Sequence, residues 1–323
     1  MIEVEEVGPD RSEDVLVTIR AGFGARELLD PPSSAPGETV ESVRRALAEN
    51  GGLLATAETG PVGALLFQGG GDLLGVRRLA VRPDDQGRGV ARALVRRVEQ
   101  VARHRGFDGV RAAARAELPR TLRLWQNLGY SEIDRDGTMV TFAKILPVET
   151  VARTADDARD LGARLAGVLR AGDLVILSGD LGAGKTTFAQ GLGAGLGIRG
   201  DVTSPTFVIS RVHPALTDGP ALVHVDAYRL GGIGELDDLD LDTTLEEAVT
   251  VAEWGEDVAG GLAETRLEIR IDRTRGGGGG GADGRAEAES DTRTVCFTPV
   301  GLRWVGAGLR AALTGADRPR GTA

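Results

Sequence analysis

One stretch, GDLGAGKTTF (Gly179 to Phe188), limits what this chain can fold into more than any other. Gly179, Gly184, Lys185 and Thr186 meet the spacing Gly-x4-Gly-Lys-Thr. The apolar run DLVILS before it predicts a buried strand. TTFAQGLGAGLG after it predicts a helix with Phe188, Leu192 and Leu196 on one face. Strand, glycine turn and helix N-terminus, in that order, make a cradle for phosphate. Glycine lets the amides of Asp180, Leu181, Gly182, Ala183 and Gly184, continuing to Thr187, turn inward, and the helix end adds partial positive charge. Only two lysines occur in the chain, Lys144 and Lys185, and one of them falls at the required position. Lys185 is predicted to neutralise the β and γ oxygens of a nucleoside triphosphate. The Thr186 hydroxyl is predicted to ligate Mg2+.

Such a loop needs an acid at the end of a neighbouring strand. LVHVD places Asp226 after alternating apolar residues, and VTVAE places Glu253 in the same situation. One would hold the metal through its water shell and the other would orient the attacking water, and the sequence leaves the assignment open. DVTSPTFVIS reads either as a Ser-Pro turn into a strand or as a switch segment in which Thr203, Ser204, Pro205 and Thr206 sense the γ-phosphate. In GELDDLDLDTTLEEA, Asp238, Asp240 and Asp242 alternate. Thr243 at the sixth position and Val249 at the twelfth exclude an EF-hand loop, so the run reads as a solvated face or docking surface.

At 323 residues the chain has room for two domains. A net charge of −10 disfavours direct, tight binding of RNA or DNA. Cys296 is the sole cysteine, so neither an intrachain disulfide nor a thiolate metal cluster is available. The acidic start MIEVEEVGPD is no signal peptide, and no run reaches the roughly 18 apolar residues of a membrane span. A cytoplasmic protein without membrane contact is the expectation.

The fold class expected is α/β in two domains, residues 1–146 and 147–323, the first of α+β type. The second domain carries a flexible glycine-rich insert at 276–290, between two late strands and expected to spare the site. The first domain reads as strand, two helices, a strand hairpin, the strand GVRRLAVRP, the periodic helix GVARALVRRVEQVARHRG, then strand, helix and strand. Its own glycine turn, DQGRGVARAL, predicts main-chain amides of Gln86, Gly87, Arg88, Gly89, Val90 and Ala91 aimed at a pyrophosphate. LRWVGAGLRAAL reads as a last helix.

LSGDLGAGKTTFAQGLGAGLG, VTSPTFVIS, LVHVDAYRL and AEWGE, in that order, resemble the TsaE family across most of residues 148–275. The resemblance implies a small Mg2+-dependent ATPase needed for threonylcarbamoyladenosine at position 37 of tRNA. It implies TsaB- and TsaD-like partners, with tRNA reached only indirectly and no DNA. It also implies Lys185, Asp226 and Glu253 as catalytic residues, Thr186, Asp226 and Glu253 as metal residues, and Trp254 beside the nucleotide. The first half, with RLWQNLGYSEI near its end, resembles the GNAT N-acetyltransferases over about residues 1–146. That implies acetyl-CoA on the DQGRGVARAL turn, with its pantetheine arm along Leu79, Ala80 and Val81. Where that family often has Leu-Tyr, this chain has Leu124-Trp125, and an upstream Asn is replaced by Leu118. An indole cannot act as the general acid, so Glu117 and Tyr130 become the substitutes to consider. Two rivals are a P-loop kinase acting on a small molecule and a first half that senses CoA without catalysis.

Overall fold

The computed structural model describes residues 1–26, 30–203, 210–226, 246–253, 265–273 and 292–315, with only the main chain of Asp226. It separates into two units, one of Met1–Leu146 and one beginning at Pro147. No described helix is long and apolar enough to cross a membrane.

The first unit is a seven-stranded sheet in the order β1 (Glu3–Val7), β2 (Gly52–Ala57), β3 (Gly60–Gln68), β4 (Leu73–Val81), β5 (Gly109–Arg115), β7 (Met139–Ile145), β6 (Ser131–Asp136). All neighbours are antiparallel except β4 and β5, which are parallel and joined through α3 (Val90–His104), and α4 (Pro119–Asn127) follows β5. β2 and β3 are buried on both faces, so adjacent residues serve different cores. Leu53 and Leu65 pack with Val90, Leu94 and Val98 of α3. Leu54 and Leu66 pack with Val15 and Ile19 of α1 (Ser12–Gly24) and Val43 of α2 (Val40–Asn50). Such two-sided burial requires the near-continuous apolar runs seen here. The start of α2 is fixed by a reciprocal cap: Ser42 N–H donates to Thr39 Oγ1 at 3.1 Å, and Thr39 N–H donates to Ser42 Oγ at 2.9 Å.

The second unit is a seven-stranded sheet in the order β10 (Ser210–His213), β11 (Ala221–Asp226), β12 (Ala248–Glu253), β9 (Leu174–Ser178), β13 (Arg266–Arg273), β14 (Arg293–Val300), β8 (Val148–Ala152). Its middle strands β11, β12, β9 and β13 are parallel, and antiparallel strands close both edges. α5 (Ala155–Ala166) and α6 (Lys185–Leu196) lie against each other with almost no space between backbones. A Cβ on Gly191 would stand 2.0 Å from the Arg159 carbonyl oxygen, so only glycine fits there. Phe188 of α6 and Phe297 of β14 meet in the core at 6.0 Å between ring centroids.

The structure departs from the sequence expectation in three places. β6 and β8 are strands that the apolar pattern does not announce. β6 exposes five of its six residues, and β8 is an edge strand with Val151 half-exposed. The expected last helix is instead a 3-10 turn, Leu302–Trp304, and a short α7 (Leu309–Thr314). Gly306 and Gly308 both stand at φ +71° between them, which no continuous helix allows.

Candidate functional site

In the second unit the glycine loop leaves β9 and enters α6 at Lys185. Gly179 has φ +136°, and a Cβ there would lie 2.3 Å from the Ile271 carbonyl oxygen of β13. Gly184, at φ +108°, packs against the Arg293 side chain. Arg293, buried at the start of β14, donates from Nε to the Ala183 carbonyl at 2.8 Å. Asp180, Leu181 and Gly182 form the exposed crest, Ala183 is buried, and Thr186 and Thr187 are half-buried. Lys185 Nζ donates to the carbonyls of Gly179 (2.8 Å) and Asp180 (3.2 Å), folded across the mouth of its own loop. The strands carrying the glycine-rich insert are therefore not remote from the loop. β13 touches it through Ile271 and β14 through Arg293. Residues 276–290 themselves lie outside the described residues.

Parallel register decides what else reaches the loop. Glu253 pairs with Leu177, one residue before the end of β9, and with Asp226 on its other side. The exits of β9, β11 and β12 thus share one edge, where ligands of open α/β sheets gather. Glu253 is mostly buried, and its Oε1 lies 3.1 Å from His224 Nε2. His224 is fully buried, and its Nδ1 has no partner among the described residues. Thr203 is exposed and its Oγ1 accepts from Arg211 at 3.0 Å. Gln190 Nε2 of α6 donates to the Val202 carbonyl at 3.2 Å, tying this segment to the helix. Ser204, Pro205, Thr206, Trp254 and residues 234–245 of the acidic run lie outside the described residues. Lys185 is a cation and Thr186 and Glu253 are oxygen-bearing side chains, the residue types that could hold a magnesium-bound triphosphate.

In the first unit the second glycine turn lies at the N-terminus of α3. Gly87 (φ +79°) and Gly89 (φ +84°) have open space around them, and Gln86, Gly87, Arg88 and Gly89 are exposed. The Ala93 amide is the first to close on this turn, to the Gly89 carbonyl at 2.9 Å. The amides of Val90 and Ala91 precede it and have no intrahelical acceptor. The Gln86 amide donates to the Pro83 carbonyl at 3.3 Å, so it does not join the expected set, and only its side chain is open to a ligand. Arg88 pairs with Asp85 at 3.3 Å. Leu79, Ala80 and Val81 belong to the part of β4 that no longer pairs with β5.

The expected substitute acids do not fit that role. Tyr130 is buried with its ring 4.8 Å from that of Trp125, which is itself core. Burial, then the charge of Glu99, drives its pKa far above the phenol range. Glu117 is bound by Arg115 at 2.6 Å, and that hydrogen bond holds its pKa below the usual carboxylate range.

Sequence reasoning missed Arg293, His224, Arg211 and Arg26. Arg26 Nη2 donates to the Leu79 carbonyl at 3.0 Å. Arg293, Arg26 and His224 act across 110, 53 and 29 residues and Arg211 across eight, and only His224, inside the LVHVD block, left a trace in the pattern.

Residues 152–278 match the family model described as "Threonylcarbamoyl adenosine biosynthesis protein TsaE", and residues 24–130 match the one described as "Acetyltransferase (GNAT) family". The chain is 58% identical over 147 residues to a tRNA threonylcarbamoyladenosine biosynthesis protein TsaE of Streptomyces coelicolor, covering 45% of this chain and 93% of that protein. Among solved structures, Bacillus subtilis YdiB is similar at 28% identity and a TM-score of 0.40, over 54% of this chain and 99% of that one. The PaiA N-acetyltransferase of Thermoplasma acidophilum, solved in complex with coenzyme A, is similar at 14% identity and a TM-score of 0.41, over 45% of this chain and 99% of that one.

Proposed function

The chain belongs to the TsaE family of tRNA threonylcarbamoyladenosine biosynthesis proteins and carries a GNAT domain, and from that premise we propose that its C-terminal half is a Mg2+-dependent ATPase whose turnover drives the modification complex. The observation that carries this reading is the common edge. β9 delivers the glycine loop there, and β11 and β12 deliver Asp226 and Glu253 beside it.

In this reading the loop amides and the N-terminus of α6 receive the phosphates. Lys185 leaves the Gly179 and Asp180 carbonyls and takes the β and γ oxygens. Bound Mg2+ would supply charge neutralisation on the phosphates, with Thr186 and Asp226 as the residues that would hold it. Glu253, fixed by His224, orients water for attack on the γ-phosphorus. The bond to the β–γ bridging oxygen breaks, ADP leaves, and the proton of the water passes to the carboxylate or to solvent. Thr203 to Thr206 is the segment proposed to sense the γ-phosphate. The partners proposed are TsaB- and TsaD-like proteins in the cytoplasm, with tRNA reached through them.

For residues 1–146 we propose a separate acetyl-CoA module, with the second domain beginning at Pro147. The open turn from Gly87 to Ala91 and the end of β4 beyond Val76, which does not pair with β5, support this. Acyl transfer to an amine needs positioning more than an acid, so the loss of the usual tyrosine is compatible with it. The burial of Trp125 and Tyr130 favours one second reading, a CoA-sensing module without transfer. Release of free CoA thiol in the presence of amines separates the two.

The test is co-purification of the full chain with TsaB- and TsaD-like proteins from the same organism, with and without ATP and Mg2+. Nucleotide-dependent association with release of free phosphate supports the proposal. Transfer of the γ-phosphate to a small molecule favours a kinase and overturns it.

A further inference from the structure

Between β4 and β5 the N-terminal sheet comes apart. The strands pair from Leu73–Gly109 to Val76–Ala112 and no further, although β4 runs on to Val81 and β5 to Arg115. Leu79 and Val81 pack with the α3 core, whereas Ala80 packs with the α1 and α2 core. A thioester laid along this edge from the α3 side is therefore approached by its acceptor from the α1 and α2 side.

On that side the wedge is lined by arginine. Arg26, two residues past α1, places Nη2 3.0 Å from the Leu79 carbonyl and its guanidinium carbon 3.8 Å from the centre of the Phe23 ring. It is half-buried, burial lowers its pKa, and no described carboxylate pairs with it. Arg77 and Arg78 share one carboxylate, Glu38, at 4.0 and 2.9 Å. Arg115, at the end of β5, holds the carbonyls of Asp30 (2.7 Å) and Pro31 (2.9 Å) besides Glu117. Guanidinium groups thus outnumber carboxylates among the described residues here. A partly desolvated guanidinium with a carbonyl and a ring for company, and no counter-charge among the described residues, presents its remaining donors to an anion as a planar fork.

We propose that the acyl acceptor of the N-terminal half is an amine bearing a carboxylate, and that Arg26 receives that carboxylate at the wedge between β4 and β5. This rests on the acetyl-CoA reading of the same half. The amine nitrogen adds to the thioester carbonyl, the carbon–nitrogen bond forms and the carbon–sulfur bond breaks. Sulfur leaves as the CoA thiolate with the bonding pair and takes up the proton that the amine gives up.

The experiment uses the full chain, acetyl-CoA and matched acceptors, read by release of CoA thiol. Free glutamate is compared with its carboxamides and with lysine amide. A tetrapeptide with an acidic second residue is compared with its neutral counterpart, which distinguishes a free amino acid from a peptide as the source of the carboxylate. The expected result is a kcat/KM for the carboxylate form at least about tenfold above the carboxamide. Arg26→Gln removes that preference and Arg26→Lys keeps part of it. Equal or better use of carboxamides or cationic amines overturns the proposal, as does a preference that survives Arg26→Gln. Should Arg26→Gln fail to fold, the wild-type preference and Arg26→Lys carry the test. Calorimetric titration with acetyl-CoA separates the two levels. No binding removes the acetyl-CoA reading and this proposal with it. Binding without transfer to any carboxylate-bearing amine overturns the acceptor assignment alone.

Discussion

His224 Nε2 sits 3.1 Å from Glu253 Oε1, joining β11 to the acid at the exit of β12. Register places His224 opposite Val251, two residues before Glu253 and on the same face of the sheet. Fully buried, the imidazole fixes where the carboxylate can sit. His224→Leu is therefore expected to lower kcat for ATP hydrolysis by tenfold to a hundredfold, about 1.5–3 kcal/mol, with a smaller change in KM. Steady-state phosphate release with varied ATP measures both. An unchanged kcat would mean that Glu253 needs no such support.

Arg293 fixes the loop from the opposite side through the Ala183 carbonyl. Arg293→Ala leaves that buried acceptor without its donor, a loss of about 1–3 kcal/mol. The expected effect is a KM for ATP raised about tenfold, together with a lower thermal midpoint. Arg293→Lys should restore only part of either, because a point charge does not reproduce the Nε geometry. Nucleotide titration and a thermal melt check both.

For the first unit, Gly89→Ala forces a side chain into φ +84° at the entrance to α3. The strain is about 1–2 kcal/mol and falls on the turn proposed to carry the pyrophosphate. Weaker acetyl-CoA binding, with ATP turnover unchanged, is the expected result. Calorimetry and phosphate release on the same preparation check it.

His213 sets a pH limit on the second unit. Burial, then the positive charge of Arg211, hold its pKa below the ordinary imidazole value. The unfolded chain therefore binds more protons than the folded one as pH falls through about 6.5. Stability is at its full value above that pH and is lost progressively below it, down to the depressed folded pKa. Thermal melts between about pH 8 and pH 5.5 should show the decline, and His213→Gln should flatten it.

How much of this was legible in the sequence follows from range. The glycine loop, Lys185 and Thr186 lie within eight residues, and their chemistry is local. Asp226 and Glu253 were legible because each ends an apolar strand, and parallel register then places both at one edge. β6 was not, because an exposed edge strand such as Ser131–Asp136 has no buried face to impose alternation. Arg293 and Ala183 are 110 residues apart, and Arg26 and Leu79 are 53 apart. Nothing local requires an arginine at those positions, and only the folded topology brings each to its carbonyl. Two glycines decided against the last helix, and their positive φ angles could have been suspected from the spacing Gly306-x-Gly308.

If Gly179 to Thr187 is a working ATP site, Lys185→Ala removes the side chain proposed to neutralise the β and γ oxygens. The full-length wild-type and variant chains, with the partner proteins and Mg2+, are compared for release of phosphate from ATP. Turnover in the wild type and none above background in the variant is expected, with acetyl-CoA binding the same in both. Near-normal phosphate release by Lys185→Ala would contradict it.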